Sequence, residues 1–163
     1  MTAIPVLHKR DINAMEELQR IHPFNEQAVI NMKSLGDAAG LTSLGAHLVR
    51  IAPGDETTAC HNHELSDEFV YILSGTATLT AGEQEHELQA GDFAGFPADG
   101  PPHLMKNTGG EDLVYIMAGG RPGIDIVNYP RAGKKMYKVG ERLDIVDTQY
   151  VKQTYRGGKK PRK

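Results

Sequence analysis

The sequence predicts an all-β fold, a barrel or sandwich of short strands, and three observations predict it. The 163-residue chain carries 18 Gly and 9 Pro, about a sixth of its length, which suits a turn-rich architecture and leaves little room for long helices. From Leu44 onward, apolar residues recur with a period of two. Turn residues then interrupt the chain at short, even intervals, as they do in many-stranded folds.

Residues 1–43 read as an N-terminal arm. Within it, Ile12, Met15, Leu18 and Ile21 recur every three residues, predicting a short amphipathic helix that His22-Pro23 would end. Residues 28–33 suit a strand, and the segment from Gly36 to Gly40 suits a turn. Residues 44–118 read as the barrel. On its first strand His47, Val49 and Ile51 share one face while Ala46, Leu48 and Arg50 share the other, until Pro53-Gly54-Asp55 breaks it. Further strands are expected near 59–63, 68–73, 76–81, 85–89, 92–96, 103–107 and 113–118, with Ser74-Gly75, Ala90-Gly91-Asp92 and Thr108-Gly109-Gly110 among the turns. Past Gly119 the regularity fades. Residues 119–155 read as a wrapping extension and 156–163 as a basic, disordered tail.

Composition removes several classes. No apolar run approaches the ~18 residues a membrane-spanning helix needs. Ile4-Pro5-Val6-Leu7 is too short for a secretory apolar core. A lone Cys60 cannot close an internal disulfide, and no Cys-x-x-Cys zinc pattern occurs. Five of the 18 basic residues lie in 156–163, so the rest of the chain, which holds all 21 acidic residues, is acidic and offers no nucleic-acid surface. A cytoplasmic protein without nucleic-acid or membrane partners is the expectation.

The informative stretch runs from Gly54 to Gly75: Gly54, six residues, His61, one residue, His63, four residues, Glu68, six residues, Gly75. Two residues apart on a strand, His61 and His63 project from one face about 6–7 Å apart and can tilt toward a common ion. Glu68 then opens the next strand, sharing a face with Val70 and Ile72. A second stretch follows, Gly91-x5-Pro97-x2-Gly100-x2-His103-x3-Asn107, and adds a third imidazole after a Pro-rich turn.

These two blocks, in this order, resemble the paired signature of the cupin superfamily over about Gly45 to Gly119, nearly half the chain. Each block departs from the usual family spacing by one residue inserted in a turn. The resemblance implies a double-stranded β-helix, the jelly-roll barrel, here flanked by the N-terminal arm and the C-terminal extension. It implies His61, His63, Glu68 and His103 as ligands of one divalent transition metal: Zn, Mn, Fe, Ni or Co. The wider arrangement is similar to small bacterial single-domain cupins, some of which are labelled sugar-phosphate isomerase-like. Three nitrogens and one oxygen leave positions open on a five- or six-coordinate ion, as a catalytic site requires.

The functional expectation is a metal-dependent enzyme acting on a small polar, possibly phosphorylated metabolite, with aldose–ketose isomerisation as first choice. The alternatives are an Fe(II)-dependent dioxygenase and a non-catalytic cupin that binds a metabolite or metal. His47 is a candidate for the general base, with a core or rim histidine the plainer reading. Cys60 is expected to pack on the face opposite His61, His8, His22 and His86 to lie on the surface, and Tyr71 and Tyr115 to pack between sheets. Asn107 suits a structural hydrogen bond at least as well as a functional one. Among Arg50, Lys106, Arg121, Arg131, Lys134 and Lys135, one or two at the barrel mouth would make an anion subsite. Exposed sheet edges and long arms suggest a homodimer.

Overall fold

The structure, a computed structural model, describes residues 6–152 and 154. The basic tail at 156–163 lies outside the described residues. In chain order the elements are α1 (Lys9–Ala14), β1 (Leu18–His22), β2 (Asn25–Ser34), α2 (Leu35–Ala38), β3 (Leu44–Ile51), β4 (Asn62–His63), β5 (Glu68–Ser74) and β6 (Thr76–Ala81). They continue with β7 (Gln84–Gln89), β8 (Phe93–Phe96), β9 (His103–Asn107), β10 (Leu113–Gly120), β11 (Ile124–Tyr129), β12 (Lys134–Val139) and β13 (Arg142–Asp147). The predicted all-β class holds, with α1, α2 and two 3-10 turns at Pro130–Ala132 and Thr148–Tyr150 as the helical pieces among the described residues.

Three sheets enclose the interior: a six-stranded one ordered β1-β2-β3-β10-β5-β8, a four-stranded one ordered β13-β12-β11-β4, and a three-stranded one ordered β7-β6-β9. Period-two alternation sets the inner face. Val49 and Ile51 on β3, Val70 and Ile72 on β5, Ala77 and Leu79 on β6, and Leu113 and Tyr115 on β10 form one buried apolar cluster. On the outer face of β5 and β8, Tyr71, Leu73 and Phe93 are exposed, so Tyr71 does not pack between sheets as the sequence suggested.

Two segments differ from the sequence expectation. The helix foreseen across Ile12 to Ile21 is confined to α1, and Leu18 to His22 instead pair with β2 as an antiparallel hairpin. Past Gly119, where no regular element was expected, β11, β12 and β13 form an antiparallel meander whose first strand pairs with β4. Ala28 on β2 and Val127 and Tyr129 on β11 are buried, so both flanks contribute to the interior.

Asn107 fastens the barrel and has a structural role. Its amide donates to the carbonyls of Ile51 (3.0 Å) and Glu111 (2.8 Å), while its Oδ1 accepts the Gly109 amide (3.0 Å). At Gly75, with φ +85°, an added Cβ would lie 2.8 Å from the Asp112 carbonyl oxygen, so the β5–β6 turn requires glycine. Among the described residues, no helix is long and apolar enough to cross a membrane.

Candidate metal centre

Backbone pairing brings the two sequence blocks together. The His61 amide donates to the His103 carbonyl (3.1 Å) and the His103 amide donates back to His61 (2.8 Å). Directly opposed residues in an antiparallel pair send their side chains to the same face, so both imidazoles point inward. His63 follows on β4 and Glu68 begins β5. Around Glu68 Oε2 stand the Nε2 atoms of His103 at 3.6 Å, His61 at 3.7 Å and His63 at 3.8 Å. One ligand atom from each of His61, His63 and Glu68 lies within 4.8 Å of the others; His103 stands just outside this tightest group.

Each ring is held by its other nitrogen. Nδ1 of His61 lies 3.1 Å from the Ala59 carbonyl, Nδ1 of His103 lies 3.4 Å from that of Pro101, and Nδ1 of His63 lies 2.6 Å from Asp125 Oδ2. An acceptor at Nδ1 places the ring proton there and leaves Nε2 with a free lone pair. Phe96 stacks on His103 with centroids 3.6 Å apart, fixing that ring's plane. Three lone pairs therefore converge on one carboxylate.

Glu68 Oε2 is buried and has no hydrogen-bond partner. Burial opposes ionisation of Glu68, while protonated rings at His103, His61 and His63 would outweigh it and hold its carboxyl below the usual carboxylate range. At 3.6–3.8 Å these are electrostatic contacts, too long for hydrogen bonds. A buried anionic oxygen facing three neutral nitrogens fits a divalent cation, which would satisfy all four groups at once. The donor set suits a transition metal and does not choose among them.

The inserted residue in the second block sits in a turn where Asp99 has φ +57°, a left-handed conformation that Asp tolerates. The Asp99 amide donates to the His63 carbonyl (2.8 Å) and the Ala98 amide to Asp67 Oδ1 (2.7 Å). The longer turn thus clamps the loop between the ligating blocks.

The cluster opens onto a cavity of about 220 Å³ whose walls include Ile30, Val70, Met105, Tyr115 and Met117. Burial, reinforced by the Glu68 charge, pushes the Tyr115 phenol far above its ordinary pKa. His22, expected on the surface, lines this cavity instead. Cys60 is buried beside Phe24 and Leu104 in a separate pocket, and burial raises its thiol pKa. His8 and His86 are exposed.

His47 lies at the rim and does not line the cavity. Its Nδ1 is 3.0 Å from Ser34 Oγ, and a Cβ built on Gly45 would meet its Nε2 at 3.3 Å and Arg121 Nε at 3.1 Å. Of the six cations weighed from the sequence, Arg121 is the one beside His47, and Asp37 pairs with it. Arg50 is tied to Glu17 and Asp112, Lys134 to Asp147, and Lys135 to Glu64.

Burial lowers the pKa of both His22 and His47, with His61 adding to the effect at His22 and Arg121 at His47. Both rings therefore stay neutral in the fold at a pH where the unfolded chain already charges them. The unfolded chain binds more protons there, so stability is fully present above the ordinary imidazole pKa of about 6.5 and falls as pH drops below it. Urea midpoints between pH 7.5 and 5 should show this decline, and it should be shallower in a His22→Gln/His47→Gln double variant.

A family model for the cupin domain matches residues 47–119. Among solved structures, a candidate sugar phosphate isomerase from Acidithiobacillus ferrooxidans is 37% identical with a TM-score of 0.89, covering 93% of this chain and 97% of that one. A sugar phosphate isomerase of the cupin superfamily from Silicibacter pomeroyi is 26% identical with a TM-score of 0.79, covering 92% and 97%. Auxin-binding protein 1 of Arabidopsis thaliana is 33% identical over 103 residues, 55% of this chain and 48% of its own length. The chain spans about half the length of the curated relatives it matches. The chain belongs to the cupin superfamily. Both structural likenesses reach well beyond the matched domain into the flanking strands.

Proposed function

We propose that this cupin is a metal-dependent enzyme that interconverts the aldose and ketose forms of a small sugar phosphate. The observation that carries the reading is the convergence of three Nε2 atoms on the unpartnered Glu68 Oε2 at the wall of a cavity. His61, His63, Glu68 and His103 would hold the ion, and the 37%-identical structure named as a candidate sugar phosphate isomerase supports the choice of reaction. When bound, a divalent ion there supplies Lewis-acid polarisation of two adjacent substrate oxygens. The apolar walls exclude water from the reacting carbons. Arg121, which stands beside His47 and pairs with Asp37, would supply the cation for the phosphate oxygens.

The test is a panel of aldose and ketose phosphates offered to protein loaded separately with Mn, Fe, Co, Ni or Zn. Isomerisation that is indifferent to oxygen supports the reading. Turnover only with Fe(II) and oxygen would replace it with dioxygenase chemistry, and binding without turnover under any loading would leave a metabolite-binding cupin. Arg121→Gln should raise KM for the phosphorylated substrate about tenfold or more with metal content unchanged, as loss of a charge-assisted contact predicts. A homodimer is part of the proposal: sedimentation equilibrium at twice the chain mass supports it, and the single-chain mass overturns it.

A further inference from the structure

We propose that His22 is a ligand-binding residue of the cavity, donating its Nε2–H to an oxygen of the bound molecule that is not held by the metal. This rests on the reading that a small oxygenated ligand occupies the cavity, and it adds a residue from outside both sequence blocks. His22 is the last residue of β1 and lines the same cavity as His61, Glu68 and His103.

The backbone fixes what its ring can do. The Phe24 amide, which can only donate, bonds to His22 Nδ1 at 3.2 Å. Nδ1 is therefore the acceptor, and in the neutral ring the proton must sit on Nε2. His22 thus has the opposite tautomer to His61, His63 and His103, whose Nδ1 atoms face carbonyl or carboxylate oxygens. Those three rings are set to offer lone pairs, and His22 is set to offer a proton. The hydrogen bond its side chain makes among the described residues is the one at Nδ1, which leaves Nε2 to a ligand.

Packing holds the ring in place. Phe24 meets it edge-on at 5.6 Å, and Tyr129 tilts against it at 5.3 Å while stacking on His61 at 5.9 Å. Tyr129 thus packs against both His22 and His61, and His22 is not part of the cluster of candidate ligands. Besides Thr57 and Thr58, the walls outside the metal cluster are largely apolar, among them Ile30, Val70, Met105 and Met117, so a fixed donor has a large say in how a ligand sits.

The test uses Co(II)-loaded full-length protein and glycolate, a small molecule with vicinal oxygens, followed through the visible absorption of the metal. His22→Phe should keep its cobalt and bind glycolate roughly threefold to tenfold more weakly, the range for one neutral hydrogen bond. His22→Gln, whose amide can donate from nearly the same place, should restore binding to within about twofold of wild type. In the diamagnetic Zn(II) form, long-range ¹⁵N–¹H spectra should show His22 as the Nε2–H tautomer. An Nδ1–H tautomer, unchanged glycolate affinity in His22→Phe, or no glycolate binding by wild type overturns the proposal. If glycolate binding follows His22 while no sugar phosphate is turned over, the isomerase reading falls and this one stands. Turnover with no dependence on His22 gives the reverse.

Discussion

Glu68→Gln is expected to lower affinity for divalent metal at least about a hundredfold while leaving the fold intact. Removing a group that only orients a ligand costs about 10- to 100-fold in affinity, and a direct charged ligand should cost at least the upper end. The substitution keeps size and shape, so elemental analysis of the purified variant isolates the role of charge. Near-stoichiometric metal in Glu68→Gln would remove the carboxylate from the ligand set.

The same variant separates a metal centre from a merely structural polar cluster. Glu68 Oε2 is buried without a hydrogen bond, and its nearest polar neighbours are three imidazole nitrogens at 3.6–3.8 Å. Neutral rings with their Nε2 lone pairs turned toward the carboxylate offer it no hydrogen bond. In chelator, therefore, Glu68→Gln should melt at or above the wild-type temperature, because an uncompensated buried charge has been removed. With metal at a thousand times its dissociation constant, wild type should gain about 4 kcal/mol by linkage and melt well above the variant. The rank order of the two proteins reverses between the two buffers. A cluster kept only for stability predicts wild type above the variant in both.

The parts of this centre that were legible in the sequence are those encoded locally. His61 and His63 are two residues apart on an extended segment and so share a face, and Glu68 follows a few residues later at the start of β5. His103 was legible because its own turn is rigidified by Pro97, Pro101 and Pro102. His22 was not, because the three-residue spacing of Ile12, Met15, Leu18 and Ile21 mimics a helix face. The hairpin with β2 overrides that local preference, leaving Leu18 and Ile21 46% and 60% exposed and turning His22 inward. Asp125 was hidden for a different reason. It lies in phase with the buried Val127 and Tyr129, while Ile124 on the opposite face is 56% exposed, so polarity and burial are inverted at the start of the strand. A buried acid reads from sequence as a surface position. Only the long-range pairing of β11 with β4 reveals its partner.

That partner makes Asp125→Ala the second large effect. Asp125 is 3% exposed; its Oδ2 accepts from His63 Nδ1 at 2.6 Å, and its Oδ1 accepts the amides of Ile126 at 2.8 Å and Leu65 at 3.3 Å. Truncation leaves the His63 N–H and two backbone donors without acceptors, which should cost about 2–5 kcal/mol in unfolding free energy. It also releases the His63 ring, which can then rotate or change tautomer, so metal affinity should fall about 10- to 100-fold although no ligand is lost. Asp125→Asn divides the two effects. Its carbonyl can still accept from the backbone amides, so much of the stability should return. Its uncharged side chain cannot reproduce the charge-assisted hydrogen bond to His63, so metal affinity should stay low. Competition against a chromophoric chelator and urea unfolding measure the two quantities separately. Metal affinity that recovers in step with stability in Asp125→Asn would mean that Asp125 serves the fold alone and that His63 is oriented by its strand.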